Sequence, residues 1–468
     1  MRLLISAAHR SSGKTSFTAG LAAALVARGL SVQTFKKGPD YIDPIWLGKA
    51  AARPCFNLDP YLSSFDEIDV RFRLAASEAD IALIEGNQGL HDGLALDGSN
   101  SNAALAVHLQ APVLLVLDAR GMTRGIAPLI LGYQSFDPKV QIAGVILNQL
   151  GGARHEARLK QVIEHYTDVP VLGALQADTA LHINERHLGL IPGNEVADAS
   201  RTIEMLGKTI AERVDLDRLL AVAASIALVG DILSPQTAEL TALTSSEDTI
   251  QIALARDRAF GFYYEDDLQA LRAAGAELVP FDTLADSRLP AADALFIGGG
   301  FPESFAAELS ANNALRDDIR RTLANGLPAY AECGGLMYLA NSLQTEEGRY
   351  PMCGYVPGDA VMQPRPVGRG YVHLDATENF PWARPQNDKL GIRAHEFHYS
   401  ELRNLPTHLR YAWSVSRGHG IDGKRDGLRI GNLLASYSHL RTTGAYPWAQ
   451  NFVQFIRQCR AQKLYPSA

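Results

Sequence analysis

Eight residues near the amino terminus, Ala8-His9-Arg10-Ser11-Ser12-Gly13-Lys14-Thr15, separate a strand-like run at 3–6 from a helical pattern at 14–28. A Gly-Lys-Thr ending in a strand-to-helix turn suits phosphate. Backbone N–H groups and the helix start wrap the anion, Lys14 neutralises charge, and the Thr15 hydroxyl meets Mg2+. Ala8 replaces the glycine of the general pattern, and so small a residue still fits. Ser12 and Gly13 complete the cradle, and Asn148, closing a predicted strand at 142–148, either reads a nucleotide base or makes a turn.

Two acidic stretches accompany it. Gly38-Pro39-Asp40-Tyr41-Ile42-Asp43-Pro44 puts two carboxylates in a proline-bounded loop, and a predicted strand at 81–84 runs into Glu85-Gly86, with Asp92 following. Singly such acids are commonly turn residues or caps. Beside a phosphate loop, at the carboxyl edge of a sheet, Thr15, Asp40, Asp43, Glu85 and Asp92 form a candidate metal and substrate set.

A different chemistry is written at Pro328-Ala329-Tyr330-Ala331-Glu332-Cys333-Gly334-Gly335-Leu336, an apolar strand entering a small-residue turn and a helix at 336–340. A nucleophile on such a turn is exposed, and the helix start lowers a thiol's pKa. A lone cysteine is more often packing, but Gly334-Gly335 lets a substrate approach the backbone. His439 follows an apolar run late in the chain and suits a base that meets Cys333 only in the fold, although other late histidines compete with it. Gly298-Gly299-Gly300 after a predicted strand at 294–297 offers N–H groups for an oxyanion hole, with Gly334 alongside. As an isolated run it would be only a turn.

The elements that must hold these groups alternate. Predicted strands at 3–6, 32–36, 81–85, 113–118, 142–148 and 171–175 are separated by helical patterns, which implies a mainly parallel α/β sheet. After residue 196 strands vanish, polar helical sequence at 203–222 gives way to a Ser/Thr/Glu-rich tract, and a second series begins near 252. The reading is a phosphate-loop domain at 1–196, a linker at 197–249 and a second α/β domain at 250–468, with further strands near 370–374, 408–415 and 428–434.

With 468 residues the chain exceeds the roughly 250–300 that one core sustains. A net charge of −7 gives no attraction for nucleic acid or anionic membrane, and no apolar run approaches the ~20 residues of a membrane span. The start reads directly as a strand with no leader pattern, and the four cysteines lack any C-x-x-C pair, so a cytoplasmic protein acting on small molecules is expected.

Together these residues resemble the cobyrinic acid a,c-diamide synthase family, with its hydrogenobyrinic acid and nickel-sirohydrochlorin relatives. The likeness spans nearly the whole chain. It is most specific at 38–44, Glu85-Gly86 with Gly89-Leu90-His91-Asp92-Gly93, Asp118-Ala119-Arg120-Gly121-Met122, Glu185-Arg186-His187-Leu188-Gly189-Leu190, the Cys333 turn, His395-Glu396-Phe397-His398-Tyr399-Ser400 and 431–439. The resemblance implies a dethiobiotin-synthetase-type ATP domain and a class I glutamine amidotransferase domain. Cys333 is then the glutaminase nucleophile, His439 its base, and Tyr41 and Ile42 lie at substrate positions. The Glu found two residues beyond the His in most class I enzymes is replaced by Arg441, leaving the third triad member open.

The implied reaction is Mg2+- and ATP-dependent phosphorylation of peripheral a and c acetate carboxylates of a tetrapyrrole, then amidation by glutamine-derived ammonia. The enzyme would be a carbon-nitrogen ligase of cobalamin biosynthesis, and a homodimer is compatible with it. Arg369 before Gly370-Tyr371, and the polar Asn87-Gln88, instead resemble the subgroup that amidates sirohaem for dissimilatory sulfite reductase. A phosphate-loop switch ATPase that binds a partner is the competing class, and it accounts for the first half alone.

Overall fold

The computed structural model describes residues 1–177, 183, 185–186, 189–196, 198–225, 249–384 and 391–462. The chain divides into two compact units, Met1–Leu233 and Ser234–Ala468.

The first unit runs β1 (Arg2–Ala7), α1 (Lys14–Ala27), β2 (Val32–Lys37), α2 (Ile42–Ala51), β3 (Phe56–Leu58), α3 (Phe65–Ala76), β4 (Ile81–Glu85), α4 (Asn102–His108), β5 (Val113–Asp118), α5 (Ile126–Phe136), β6 (Ile142–Leu150), α6 (Ala153–Tyr166) and β7 (Val171–Gln176). A two-residue pair, β8 (Glu185–Arg186) and β9 (Gly189–Leu190), precedes α7 (Ala199–Arg213) and α8 (Leu216–Ala224). The seven long strands pair in parallel in the order β3-β2-β4-β1-β5-β6-β7. Strands covered on both faces need no polar alternation, which is why β1 and β4 are buried throughout. Leu4 and Ile84 enter one apolar cluster while Leu3, Ile5 and Leu83 enter the other with Phe17 and Leu21 of α1.

The stretch read as a linker begins with α7, which packs on α1 so closely that both helices need glycine. A Cβ on Gly20 would stand 2.8 Å from Ile210 Cγ1, and one on Gly207 would stand 2.9 Å from Ala23 Cβ. Residues 226–248 of that stretch, and His187 and Leu188 of the 185–190 motif, lie outside the described residues.

The second unit runs β10 (Ile250–Ala255), β11 (Phe260–Phe262), α9 (Glu265–Ala273), β12 (Ala276–Phe281), β13 (Ala294–Ile297), β14 (Gly299–Gly300), α10 (Ala306–Ala311), α11 (Asn313–Ala324), β15 (Ala329–Glu332), α12 (Gly334–Leu339), β16 (Ala340–Thr345), β17 (Gly348–Pro351), β18 (Val356–Met362), β19 (Gly368–Ala376), β20 (Ile392–His398), β21 (Ser400–Arg403), β22 (Arg410–Arg417), β23 (Arg425–Ile430), β24 (Leu433–Ser436) and α13 (Trp448–Ala461). Its main sheet has the order β12-β10-β13-β15-β24-β23-β22-β19-β20. The first five strands are mutually parallel and the rest are antiparallel. The α/β class expected of both halves is therefore found. Among the described residues no helix is long and apolar enough to cross a membrane.

One predicted strand is corrected. The run at 428–434 is two antiparallel strands, β23 and β24, joined at Gly431-Asn432 with Ile430 opposite Leu433. Apolar residues on both sides hide the turn, but Gly431 holds φ +56°, a conformation that a β-branched residue resists. Gly431→Val is expected to destabilise the protein by about 1–3 kcal/mol in urea unfolding; an unchanged midpoint would show that the turn tolerates a side chain.

Candidate active sites

In the first unit the phosphate loop leaves β1 and ends at Gly13, whose φ of +80° turns the chain into α1. A Cβ there would lie 2.3 Å from Asn148 Nδ2, and that same amide donates to Ser12 O at 2.9 Å. Asn148 thus braces the loop from the end of β6. The start of α1 carries no side-chain cap and no acidic residue in its first turn, which leaves its first N–H groups to an anion from outside the helix. Lys14 Nζ donates to His9 O at 3.3 Å, and Ser12, almost wholly buried, donates to the same oxygen at 2.9 Å. Burial and then Lys36 push the Lys14 ammonium down to about 8.

Parallel pairing sets Lys36 of β2 directly beside Glu85 of β4. Lys36 Nζ lies 2.6 Å from Glu85 Oε1, 2.5 Å from Asp43 Oδ2 and 3.8 Å from Asp40 Oδ2. Burial opposes a charge on Lys36, but Asp43, Glu85 and Asp40 outweigh it and hold the ammonium well above the usual lysine range. Burial likewise resists ionisation of Asp43, yet Lys36 wins and its carboxyl lies below the ordinary value. Thr15 Oγ1 donates to Glu85 Oε1 at 2.8 Å. Glu85 Oε2 is buried with no hydrogen-bond partner.

Asp40 also turns the chain, with Oδ1 accepting from the N–H groups of Ile42 at 2.9 Å and Asp43 at 3.1 Å. Tyr41 is buried at the start of α2, and Ile42 opens that helix. Asn57 Nδ2 ties the loop from β3 by donating to Gly38 O and Asp40 O at 2.9 and 2.8 Å. Asp92 is exposed beside the phosphate loop: its Oδ2 accepts from Gly89 N at 2.9 Å, a Cβ on Gly89 would meet both Asp92 Oδ2 and Ala8 O, and its charge acts on Lys14. Sequence reasoning brings Asp40, Asp43, Glu85 and Thr15 together but misses Lys36 and Asn57. The available signal for Lys36 is a lysine at a strand end just before the acidic loop. A cavity beside Gly13, lined by Phe17, Asn148, Gln149, Gln176 and Ile210, draws its far wall from α7.

In the second unit Cys333 sits between β15 and α12 with φ +46° and ψ −98°, a strained turn costing about 1–3 kcal/mol. Its N–H donates to Ser436 O at 2.7 Å, which fixes the turn to the end of β24. The residue is buried, and burial, then Glu303 and Glu332, push the thiol pKa up. This corrects two expectations, that the turn exposes the residue and that the helix start lowers its pKa: the turn is enclosed, α12 has only six residues, and desolvation outweighs its terminus.

Three glycines close on this turn. A Cβ on Gly299 would come 2.7 Å from His439 Cε1, one on Gly300 would fall 1.9 Å from Ala259 O, and one on Gly334 would stand 3.0 Å from Gly300 N. His439, Gly299, Gly300, Cys333 and Gly334 therefore meet in one place. His439 and His395 exchange backbone hydrogen bonds and stack at 4.9 Å, fixing the imidazole plane. The partner that sequence reasoning misses is Glu332. Its Oε2 lies 3.4 Å from His439 Nδ1, while Oε1 accepts from Tyr330 Oη at 2.6 Å and from Leu440 N at 2.9 Å. Arg441 faces away from that role, paired with buried Asp266 at 2.6 Å.

Residues 5–191 match the CobQ/CobB/MinD/ParA nucleotide binding domain, and residues 251–446 match the CobB/CobQ-like glutamine amidotransferase domain. A relative from Magnetococcus marinus, named Cobyrinate a,c-diamide synthase, is 45% identical over 457 residues, covering 98% of this chain and 97% of that protein. Proteins of the same name from Methanosarcina acetivorans and Listeria innocua are 42% and 39% identical. They match 99% and 94% of this chain, and 96% of each relative.

Removing the cation at the centre of the acidic cluster should be costly. Lys36→Met is expected to destabilise the nucleotide-free protein by about 3–5 kcal/mol in denaturant unfolding, because Asp43 and Glu85 then face each other uncompensated. Adding Glu85→Gln should recover part of that loss, and a double variant no more stable than the single one would refute the electrostatic account.

Proposed function

This chain belongs to the cobyrinate a,c-diamide synthase family, and from that premise we propose that it converts the a and c acetate carboxylates of cobyrinate into amides, using ATP and glutamine. The observation that carries the reading is the meeting of Cys333, His439 and the Gly299-Gly300 turn in a chain that also holds a phosphate loop.

A carboxylate resists ammonia because its charge repels attack and oxide is a poor leaving group. Phosphorylation removes both obstacles. The purine base of ATP enters the cavity between Asn148 and α7, its phosphates lie along Gly13, Lys14 and Thr15, and the γ-phosphoryl passes to a carboxylate oxygen of the substrate, releasing ADP. The family resemblance assigns Tyr41 and Ile42, at the turn into α2 that Asn57 braces through Asp40 O, to the substrate. Ammonia attacks the acyl carbon and phosphate departs with the C–O electron pair. A Mg2+ ion fits this site, since such ions take one or two protein oxygens and complete their shell with phosphate and water. Thr15 Oγ1 and the buried, unpartnered Glu85 Oε2 are suited to it, whereas Asp40 and Asp43 are directed to Lys36. When bound, the ion neutralises charge on the β- and γ-phosphates.

Ammonia comes from glutamine. His439 takes the Cys333 proton as Sγ attacks the carboxamide carbon, which suits a thiol whose burial keeps it protonated at rest. The N–H groups of Gly300 and Gly334 meet the oxyanion. His439 then protonates the departing ammonia, and water cleaves the thioester to glutamate.

Sirohaem is the second substrate reading, carried by Arg369, an exposed guanidinium on β19 that lies 5.4 Å over the Phe397 ring and can pair with a carboxylate. Mass spectrometry after incubation with ATP, glutamine and either cobyrinate or sirohaem separates the two, each amide lowering the mass slightly. Cys333→Ala should abolish product from glutamine and keep product from ammonium salts; loss of neither would favour a partner-binding ATPase. Because Lys14 titrates near 8 in the free protein and phosphate favours its charged form, ATP binding at pH 9 should take up protons and at pH 7 should take up few. Calorimetry in buffers of different ionisation enthalpy measures this, and uptake independent of pH would refute it.

A further inference from the structure

We infer that Glu332, the residue immediately before the nucleophile, is the carboxylate that positions His439 and stabilises its protonated form during glutamine hydrolysis. The inference rests on the glutaminase reading above and supplies the member that the residue two beyond His439 cannot.

The placement follows from strand register. β15 and β24 run parallel with Glu332 opposite Ser436, so the end of one strand delivers the carboxylate and the chain leaving the other delivers His439 three residues on. Glu332 is 4% exposed, and its two oxygens have separate duties. Oε1 accepts from Tyr330 Oη and Leu440 N, which locks the carboxylate plane. Oε2 is left directed at His439 Nδ1, 3.4 Å away. That separation is long for a hydrogen bond, as such contacts often are before substrate tightens them. A carboxylate at Nδ1 holds the proton there and leaves Nε2 for the nucleophile.

The surroundings leave this role to Glu332. A buried imidazolium is costly without a countercharge. Of the groups around His439, His395 stacks on its ring and is held neutral by burial, His439 and Arg441. Tyr264 Oη meets His395 Nδ1 at 3.3 Å. Arg441 is a cation, which accepts no hydrogen bond, and it is paired with Asp266. Asp267 is turned to Thr442 N at 2.7 Å, and burial pushes its carboxyl up to about 8. Asp426 accepts from Tyr437 N at 3.1 Å and Ser438 N at 2.9 Å, and Glu303 acts on the Cys333 thiol.

The test is Glu332→Gln, which keeps the size of the side chain and one acceptor oxygen for Tyr330 and Leu440. In the complete reaction mixture glutamate release should fall by about 10²–10⁴-fold in kcat, as when a triad carboxylate is neutralised. KM for glutamine should change little, and the acidic limb of the kcat/KM profile should move to lower pH, because the imidazole loses its anion. Synthesis from ammonium salts reports that the variant is folded. Glu332→Asp, which restores the charge on a shorter arm, should recover part of the rate and return the limb toward the wild-type position. Release within threefold of wild type in Glu332→Gln, or an Asp variant no better than Gln, overturns the assignment, including where the Gln variant folds poorly. Were the wild-type protein itself unable to release glutamate while making amide from ammonia, the glutaminase reading would fall and this inference with it.

Discussion

Parallel strand register decides which side chains can meet in both halves of this protein. In a parallel sheet the carboxyl ends of neighbouring strands lie together, so residues far apart in sequence become immediate neighbours there. Lys36 stands beside Glu85 because β2 and β4 pair at that level, and Glu332 stands near His439 because β15 and β24 do. A slip of one residue would turn these side chains to the opposite face of the sheet and dissolve both constellations.

Burial then sets what the assembled groups must do. An ammonium as deeply enclosed as Lys36 persists only because three carboxylates surround it, and Arg441 persists only because Asp266 answers it. The same desolvation pushes the Cys333 thiol up, which in the proposed reaction gives His439 its task. Charge in these sites is held against countercharge, by three carboxylates at Lys36 and by one at Arg441.

Much of this is legible in the residues. Gly13-Lys14-Thr15 and Cys333-Gly334-Gly335 announce themselves because their neighbours on either side are an apolar strand and a helix. Lys36 and Glu332 do not, since each looks like an ordinary strand residue and acquires meaning only from the strand paired with it. The hairpin at Gly431 is hidden inside an apolar run, and the helix start that should have activated the thiol is too short to overcome enclosure. The polar helical tract after residue 196 reads as a spacer in composition, yet α7 packs through Gly20 and Gly207 against the helix that carries Lys14. Helix composition does not reveal which neighbour a helix will press against.

The left-handed backbone at Cys333 carries one further implication. Glycine is the residue that would relax there, and a chain chosen only for durability would place it at 333. If Cys333 is the nucleophile proposed above, a side chain kept in so uncomfortable a conformation marks a trade-off: the domain surrenders some resilience to hold one sulfur at the bend, and loss of reactivity and gain in robustness would arrive together.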